Sequence, residues 1–257
     1  MAAYSFDTVI DRRNTNSLKY DFAAEHGLPE DVLPLWVADM DFPAPEPVLQ
    51  ALRRAVDHGI FGYSNTKGDY YEAVSGWFRE RFGWRTQPEW MVKTPGVVFA
   101  LAAAVRALTA PGDAILVQPP VYYPFFSVIR DNQRQVVENR LVYTDGRYEI
   151  DFADFERKIA ENHVKMFFLC SPHNPVGRVW TAEELRRLGG VCQRYGVFVV
   201  SDEIHCDFAF PDHPHTIFLE ANPHLARQAI VCTAPSKTFN LAGLQASNIW
   251  IPDSGVR

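Results

Sequence analysis

Ala229-Ile230-Val231-Cys232-Thr233-Ala234-Pro235-Ser236-Lys237-Thr238-Phe239-Asn240 decides the fold when read beside Val197-Phe198-Val199-Val200-Ser201-Asp202-Glu203-Ile204-His205. Each stretch begins as a short apolar run and ends in a polar turn. Runs of this length, rich in Val, Ile and Phe, predict buried strands of a parallel sheet. Lys237 and Asp202 then lie at the C-terminal ends of two strands. That is the edge at which open α/β sheets bind their ligands.

Outward from this pair, strands and helices alternate. Strands are expected at Trp90–Thr94, Ala114–Gln118, Gln135–Asn139, Met166–Cys170, Val197–Ser201, Ala229–Thr233 and Ser247–Ile251. Helices are expected between most of them, at Val97–Thr109, Pro124–Asn132, Asp151–Asn162 and Ala182–Tyr195, and upstream at Glu46–His58 and Asp69–Phe82. Repeated βα units predict a three-layer αβα fold, with a seven-stranded, mostly parallel sheet. The last strand follows its predecessor after a short connection, which allows it to run antiparallel. Residues 1–45 are irregular and read as the N-terminal segment of a smaller domain, with 46–257 as the major domain.

The chain of 257 residues is 47% hydrophobic and 22% charged, with a net charge of −6. That is the composition of a globular chain, and without a Lys/Arg block it offers nucleic acid no partner surface. No apolar run approaches the roughly 20 residues needed to cross a bilayer. The N-terminus lacks the basic-then-apolar order of a signal peptide. Cys170, Cys192, Cys206 and Cys232 match no zinc or redox spacing, so reduced thiols, no metal site and a cytoplasmic setting are expected.

Five turns carry polar groups suited to chemistry. Lys237 follows a buried strand, where desolvation favours a neutral, nucleophilic amine; a lysine in a surface turn is the plain alternative. Asp202 lies one strand-and-helix unit earlier, and neighbouring strand ends are roughly 5–10 Å apart. It can hold a pyridine nitrogen protonated, or it can serve as a helix cap or turn acid. Asn174, in Ser171-Pro172-His173-Asn174-Pro175-Val176-Gly177, can point its amide at a phenolate or a carboxylate, or bond its own backbone. Gly96, in Thr94-Pro95-Gly96-Val97-Val98, opens a helix whose free N–H groups suit a phosphate, or merely turns the chain. Tyr122, in Pro119-Pro120-Val121-Tyr122-Tyr123, can stack on a flat ring or pack in the core. A Schiff-base lysine paired with an acid is what pyridoxal 5'-phosphate requires of a protein.

Taken together, Asp11-Arg12-Arg13-Asn14-Thr15-Asn16-Ser17, LPLWVADMDF (33–42), GIFGYS (59–64), SPHNPVGRVW (171–180), SDEIHCD (201–207) and APSKTFNLAGLQ (234–245) resemble pyridoxal-phosphate enzymes of fold type I, the aspartate aminotransferase superfamily. Within it they are most similar to the carbon–sulfur β-lyases of cystathionine β-lyase and cysteine-S-conjugate β-lyase type. The resemblance implies that Lys237 forms the Schiff base and moves the substrate's Cα proton, with Tyr122 stacked on the ring as the second catalytic residue. It implies that Asp202 pairs with the pyridine nitrogen and that Asn174 bonds the phenolic oxygen. The phosphate would be held by the Val97 and Val98 N–H groups, Ser236 and, from a partner subunit of a homodimer, Tyr63. His205 stands where aminotransferases usually carry a tyrosine.

Two departures accompany the resemblance. Gln245 occupies the position of the aminotransferases' phosphate-binding arginine, which favours the lyases. Family members continue into a C-terminal domain that binds the substrate's α-carboxylate, and this chain stops at Arg257, so that domain is expected to be absent and catalysis weak. The resulting expectation is β-elimination of L-cystathionine or cysteine S-conjugates to a thiol, pyruvate and ammonia. An aminotransferase and a truncated, non-catalytic binding or regulatory protein are the alternatives.

Overall fold

A computed structural model describes residues 4–257. After an irregular N-terminal segment come α1 (Glu46–His58) and α2 (Gly68–Phe82). The major unit follows as β1 (Met91–Thr94), α3 (Val97–Leu108), β2 (Ala114–Val117), α4 (Pro124–Asp131), β3 (Gln135–Glu138), β4 (Val142–Thr144), β5 (Arg147–Glu149) and α5 (Phe152–Asn162). It continues with β6 (Met166–Cys170), α6 (Ala182–Tyr195), β7 (Phe198–Asp202), α7 (Phe218–Ala221), β8 (Ala229–Thr233), α8 (Pro235–Thr238) and β9 (Ser247–Trp250).

Seven strands form one sheet in the order β1-β9-β8-β7-β6-β2-β3. The pairs β2–β3, β2–β6, β6–β7 and β7–β8 are parallel. β9 runs antiparallel to both β8 and β1, so β1 points the same way as β8. Alternation along β6 shows why both faces are apolar. Phe167 and Leu169 enter the core shared with α5 and α6, while Met166, Phe168 and Cys170 enter the core shared with α3 and α4. Trp250, fully buried, meets Trp84, Phe78 and Tyr71 edge-on and seals α2 against the sheet.

Local signals fix the helix ends. Thr181 and Glu184 form a reciprocal capping box at the start of α6. Asp151 caps α5 by accepting from Asp154 N–H at 2.9 Å. Gly83 ends α2 in the left-handed region, at φ 68°.

Two strand bounds are corrected here and one hairpin is added. Trp90 lies in a 3-10 turn begun by Pro88, so β1 starts one residue later. β7 extends through Asp202, because Ser171 N–H bonds Asp202 O at 2.9 Å and continues the ladder. The hairpin β4–β5 was not anticipated. Its residues are mostly exposed and show no apolar face, although Asp145-Gly146, both with positive φ, is a hairpin turn signal. Among the described residues, no helix is long and apolar enough to cross a membrane.

Candidate active site

The five turns singled out from the sequence all leave the same edge of the sheet. They follow β1 (Thr94-Pro95-Gly96), β2 (Pro119–Tyr122), β6 (Ser171–Gly177), β7 (Glu203–His205) and β8 (Ala234–Asn240). Strand register places Cys170, Asp202 and Cys232 side by side, which brings the β6, β7 and β8 turns level.

Asp202 is the electrostatic centre. It is 4% exposed, and its carboxylate accepts one backbone hydrogen bond, from Ile204 N–H at 3.2 Å. Among the described residues no cation lies within ion-pair distance of it. Burial pushes its pKa from 3.8 up to about 7; the Ile204 N–H opposes this, the charge of Glu203 adds to it, and Lys237 opposes it again. Lys237, on the single turn α8, is partly buried and close enough to act on both Asp202 and His205. Burial, followed by the charge of Lys237, holds the His205 imidazole below its ordinary value. Tyr122 is half-buried, and its phenol is pushed up by burial and then by Asp202.

His173 ties two of the turns together. It is buried, packs edge-on against Trp180, and its Nε2 lies 2.9 Å from Pro120 O. A carbonyl only accepts, so Nε2 carries the proton. Burial lowers the pKa of His173 to about 4, so the ring is neutral at ordinary pH. The Tyr122 turn is thereby pinned to the Asn174 turn. Asn174 N–H contacts Cys170 Sγ at 3.3 Å, and the turn closes through His173 N–H to Arg178 O at 2.7 Å. The Asn174 side-chain amide has no partner among the described residues.

At the start of α3, Gly96 takes φ 98°, a conformation that side-chain-bearing residues rarely adopt. The Val97 and Val98 N–H groups stand in the first turn, free of helical partners. α3 packs on β1, β7, β8 and β9, and it begins at the sheet edge from which the Lys237 turn also leaves. Ser236 precedes Lys237 on α8, partly buried. Tyr63 is not gathered with these groups: it stands fully exposed in the loop between α1 and α2. Gln245, also exposed, follows the Lys237 turn in the left-handed region.

Residues 30–254 match the family "Aminotransferase class I and II". The chain belongs to that family. Cystathionine beta-lyase PatB of Bacillus subtilis is 49% identical over 249 residues, covering 97% of this chain and 64% of the relative. The crystal structure of cystalysin from Treponema denticola, described as containing a pyridoxal 5'-phosphate cofactor, superposes with a TM-score of 0.94. It is 39% identical, covering 99% of this chain and 65% of that one. A PLP-bound C-S lyase from Staphylococcus hominis gives a TM-score of 0.94 at 37% identity, with 99% and 64% covered. This chain of the aminotransferase class I and II family thus spans a little under two thirds of the length of these relatives.

Several side chains that brace the site escaped the sequence reading. Glu203, fully buried behind Asp202, accepts from Ser201 Oγ at 2.8 Å and Phe218 N–H at 2.9 Å, and pairs with His215 Nε2 at 2.7 Å. Asn240 bonds Met40 N–H and O at 3.0 Å and Phe42 O at 2.9 Å, tying the Lys237 turn to the N-terminal segment. That segment is knotted by Arg12, which bonds Asp39, Asp41 and Ser17. The partners of Asn240, and Asp39 and Asp41 as partners of Arg12, lie far apart along the chain, so no local pattern marks those contacts.

Proposed function

We propose that this chain carries the cofactor-binding machinery of a pyridoxal-phosphate-dependent carbon–sulfur β-lyase acting on L-cystathionine or a cysteine S-conjugate. The observation that carries the proposal is Asp202, a buried carboxylate with a single backbone donor, beside a partly buried lysine. A protonated ring nitrogen supplies the cation this carboxylate lacks, so the residues fit the group. When bound, pyridoxal phosphate supplies an aldehyde that condenses with amines and a ring that takes up the electron pair left at the substrate's Cα.

In this reading Lys237 would hold the cofactor, and its Nζ would accept the substrate's Cα proton. Asp202 accepts the ring N–H and keeps that proton in place. The free amide of Asn174 donates to the phenolic oxygen, with His205 nearby. Tyr122 covers one ring face. The N–H groups of Val97 and Val98, with Ser236 Oγ, receive the phosphate, as helix N-termini do. Loss of the Cα proton and departure of the thiolate from Cβ would release thiol and aminoacrylate, which water hydrolyses to pyruvate and ammonia.

Tyr63, exposed here, reaches the phosphate of a partner subunit in the homodimer this reading includes. Residues 1–45 belong to a smaller domain and 46–257 to the cofactor domain. Four free, buried cysteines suit the cytoplasm. Similarity to PatB and to the C-S lyase structures, together with Gln245 at the aminotransferases' arginine position, supports elimination over amino transfer.

Borohydride reduction of the cofactor-loaded protein followed by peptide mapping should place the pyridoxyl group on Lys237. A label on Lys93 or Lys165 would refute the assignment. With cystathionine, pyruvate should form much faster than pyridoxamine phosphate; the reverse ratio would make the protein an aminotransferase.

A further inference from the structure

Lys237 stands on a helix too short to hold its own direction. α8 is one turn of four residues, closed by Phe239 N–H to Pro235 O at 3.0 Å. A single turn lies below the length at which helices sustain themselves. Its orientation must come from tertiary contacts on the residues flanking the lysine.

The contact on the next residue is specific. Thr238 Oγ1 donates to Asp207 Oδ2 at 2.6 Å, and the hydroxyl has no other partner among the described residues. Asp207 lies in the turn that follows β7, after His205 and beyond the strand end that carries Asp202. Its side chain is 10% exposed. Both of its carboxylate oxygens also face Trp77 Nε1 of α2, at 3.1 and 3.3 Å. Arg81 Nη1 lies 3.7 Å from Oδ1, and the Arg81 guanidinium sits 4.0 Å over the Trp77 ring. That ring in turn meets Phe239 edge-on at 5.3 Å.

Two hydrogen-bond donors, Trp77 from α2 and Thr238 from α8, therefore converge on one nearly buried carboxylate, with the Arg81 guanidinium at ion-pair distance. A carboxylate held by several donors is a fixed acceptor, and hydrogen bonds to charged groups are the stronger ones. Its fixed position is passed to Thr238 through one hydroxyl, and from Thr238 to the adjoining Lys237 backbone. We propose that Asp207 is a positioning residue that acts through Thr238 to aim Lys237 at Asp202 and His205. The proposal rests on Lys237 being the cofactor lysine. It adds a residue that touches neither cofactor nor substrate.

Thr238→Val removes the donor at nearly constant volume, and Thr238→Ser keeps the hydroxyl while losing only the methyl. Two rates decide the question. The first is capture of added pyridoxal phosphate by Lys237, followed by visible absorbance. The second is acylation of Lys237 by an amine-directed anhydride in cofactor-free protein, mapped by peptide against Lys93. Thr238→Val should slow capture roughly tenfold, as misplacement of a reacting group does. It should also raise Lys237 acylation severalfold, with little change in Tm. Thr238→Ser should return both rates close to wild type.

Wild-type capture and acylation in Thr238→Val overturn the proposal whatever its Tm, because the contact would then be structural only. Equal impairment in Thr238→Ser overturns it as well. Should Thr238→Val fail to fold, Asp207→Asn, which leaves one acceptor oxygen for two donors, must slow capture in the same direction; unchanged capture refutes the proposal. If wild-type reduction labels another lysine, the cofactor assignment falls, while the acylation ratio still decides whether Asp207 positions Lys237.

Discussion

Asp202→Asn should stabilise the cofactor-free protein, and only above mildly acidic pH. Burial moves this carboxyl from 3.8 to about 7. The unfolded chain therefore releases the proton near pH 4, while the folded chain keeps it until about pH 7. Between those values the folded state binds more protons, so this group's contribution to stability falls as pH rises and the penalty is complete above pH 7. At about 1.4 kcal/mol per pH unit, its ceiling is about 4 kcal/mol. Asparagine removes the charge and keeps an oxygen for Ile204 N–H, but adds an amide that needs an acceptor, at about 1–3 kcal/mol. The net gain expected at pH 8 is about 2 kcal/mol, or roughly 4–8 °C in Tm for a chain of this size. Thermal or urea unfolding of both proteins from pH 5 to 8.5 measures it. The gap should widen with pH up to about 7 and then level off. Added pyridoxal phosphate should stabilise wild type more than the variant, because only the wild-type carboxylate gains a cation. A gap independent of pH, or one that shrinks as pH rises, would refute the argument from burial.

Gly189→Ala should cost about 3 kcal/mol in urea unfolding, through overpacking and lost hydrogen bonds. A Cβ there would lie 2.2 Å from Asn222 Oδ1, and Asn222 bonds Leu185 O and Phe218 O. Thr181→Ala should cost about 1 kcal/mol by removing the α6 capping box, with cofactor binding unchanged. Gly96→Ala should strain the backbone at φ 98° by about 1–2 kcal/mol and weaken pyridoxal phosphate binding about tenfold, read by equilibrium titration.

By itself the sequence determined the strands, the major helices and the five turns that meet at one sheet edge. These follow from local rules, namely apolar runs, helical spacing and turn residues, so ten neighbouring positions suffice to read them. The Asp145-Gly146 hairpin obeyed the same rules and was legible, but its exposed strands carried no apolar face to draw attention. Tertiary structure alone decided the rest. Pairing of β1 with β9 on the edge of the sheet joins Met91 to Trp250, an arrangement no window of sequence contains. The unusual proton affinity of Asp202 comes from its burial in the closed fold, whereas the residue type alone predicts an ordinary acid. Asp207 reads as a turn acid until α2 and α8 bring Trp77, Arg81 and Thr238 to it. Burial and convergence are sums over distant contacts, and those sums exist only once the chain has closed on itself.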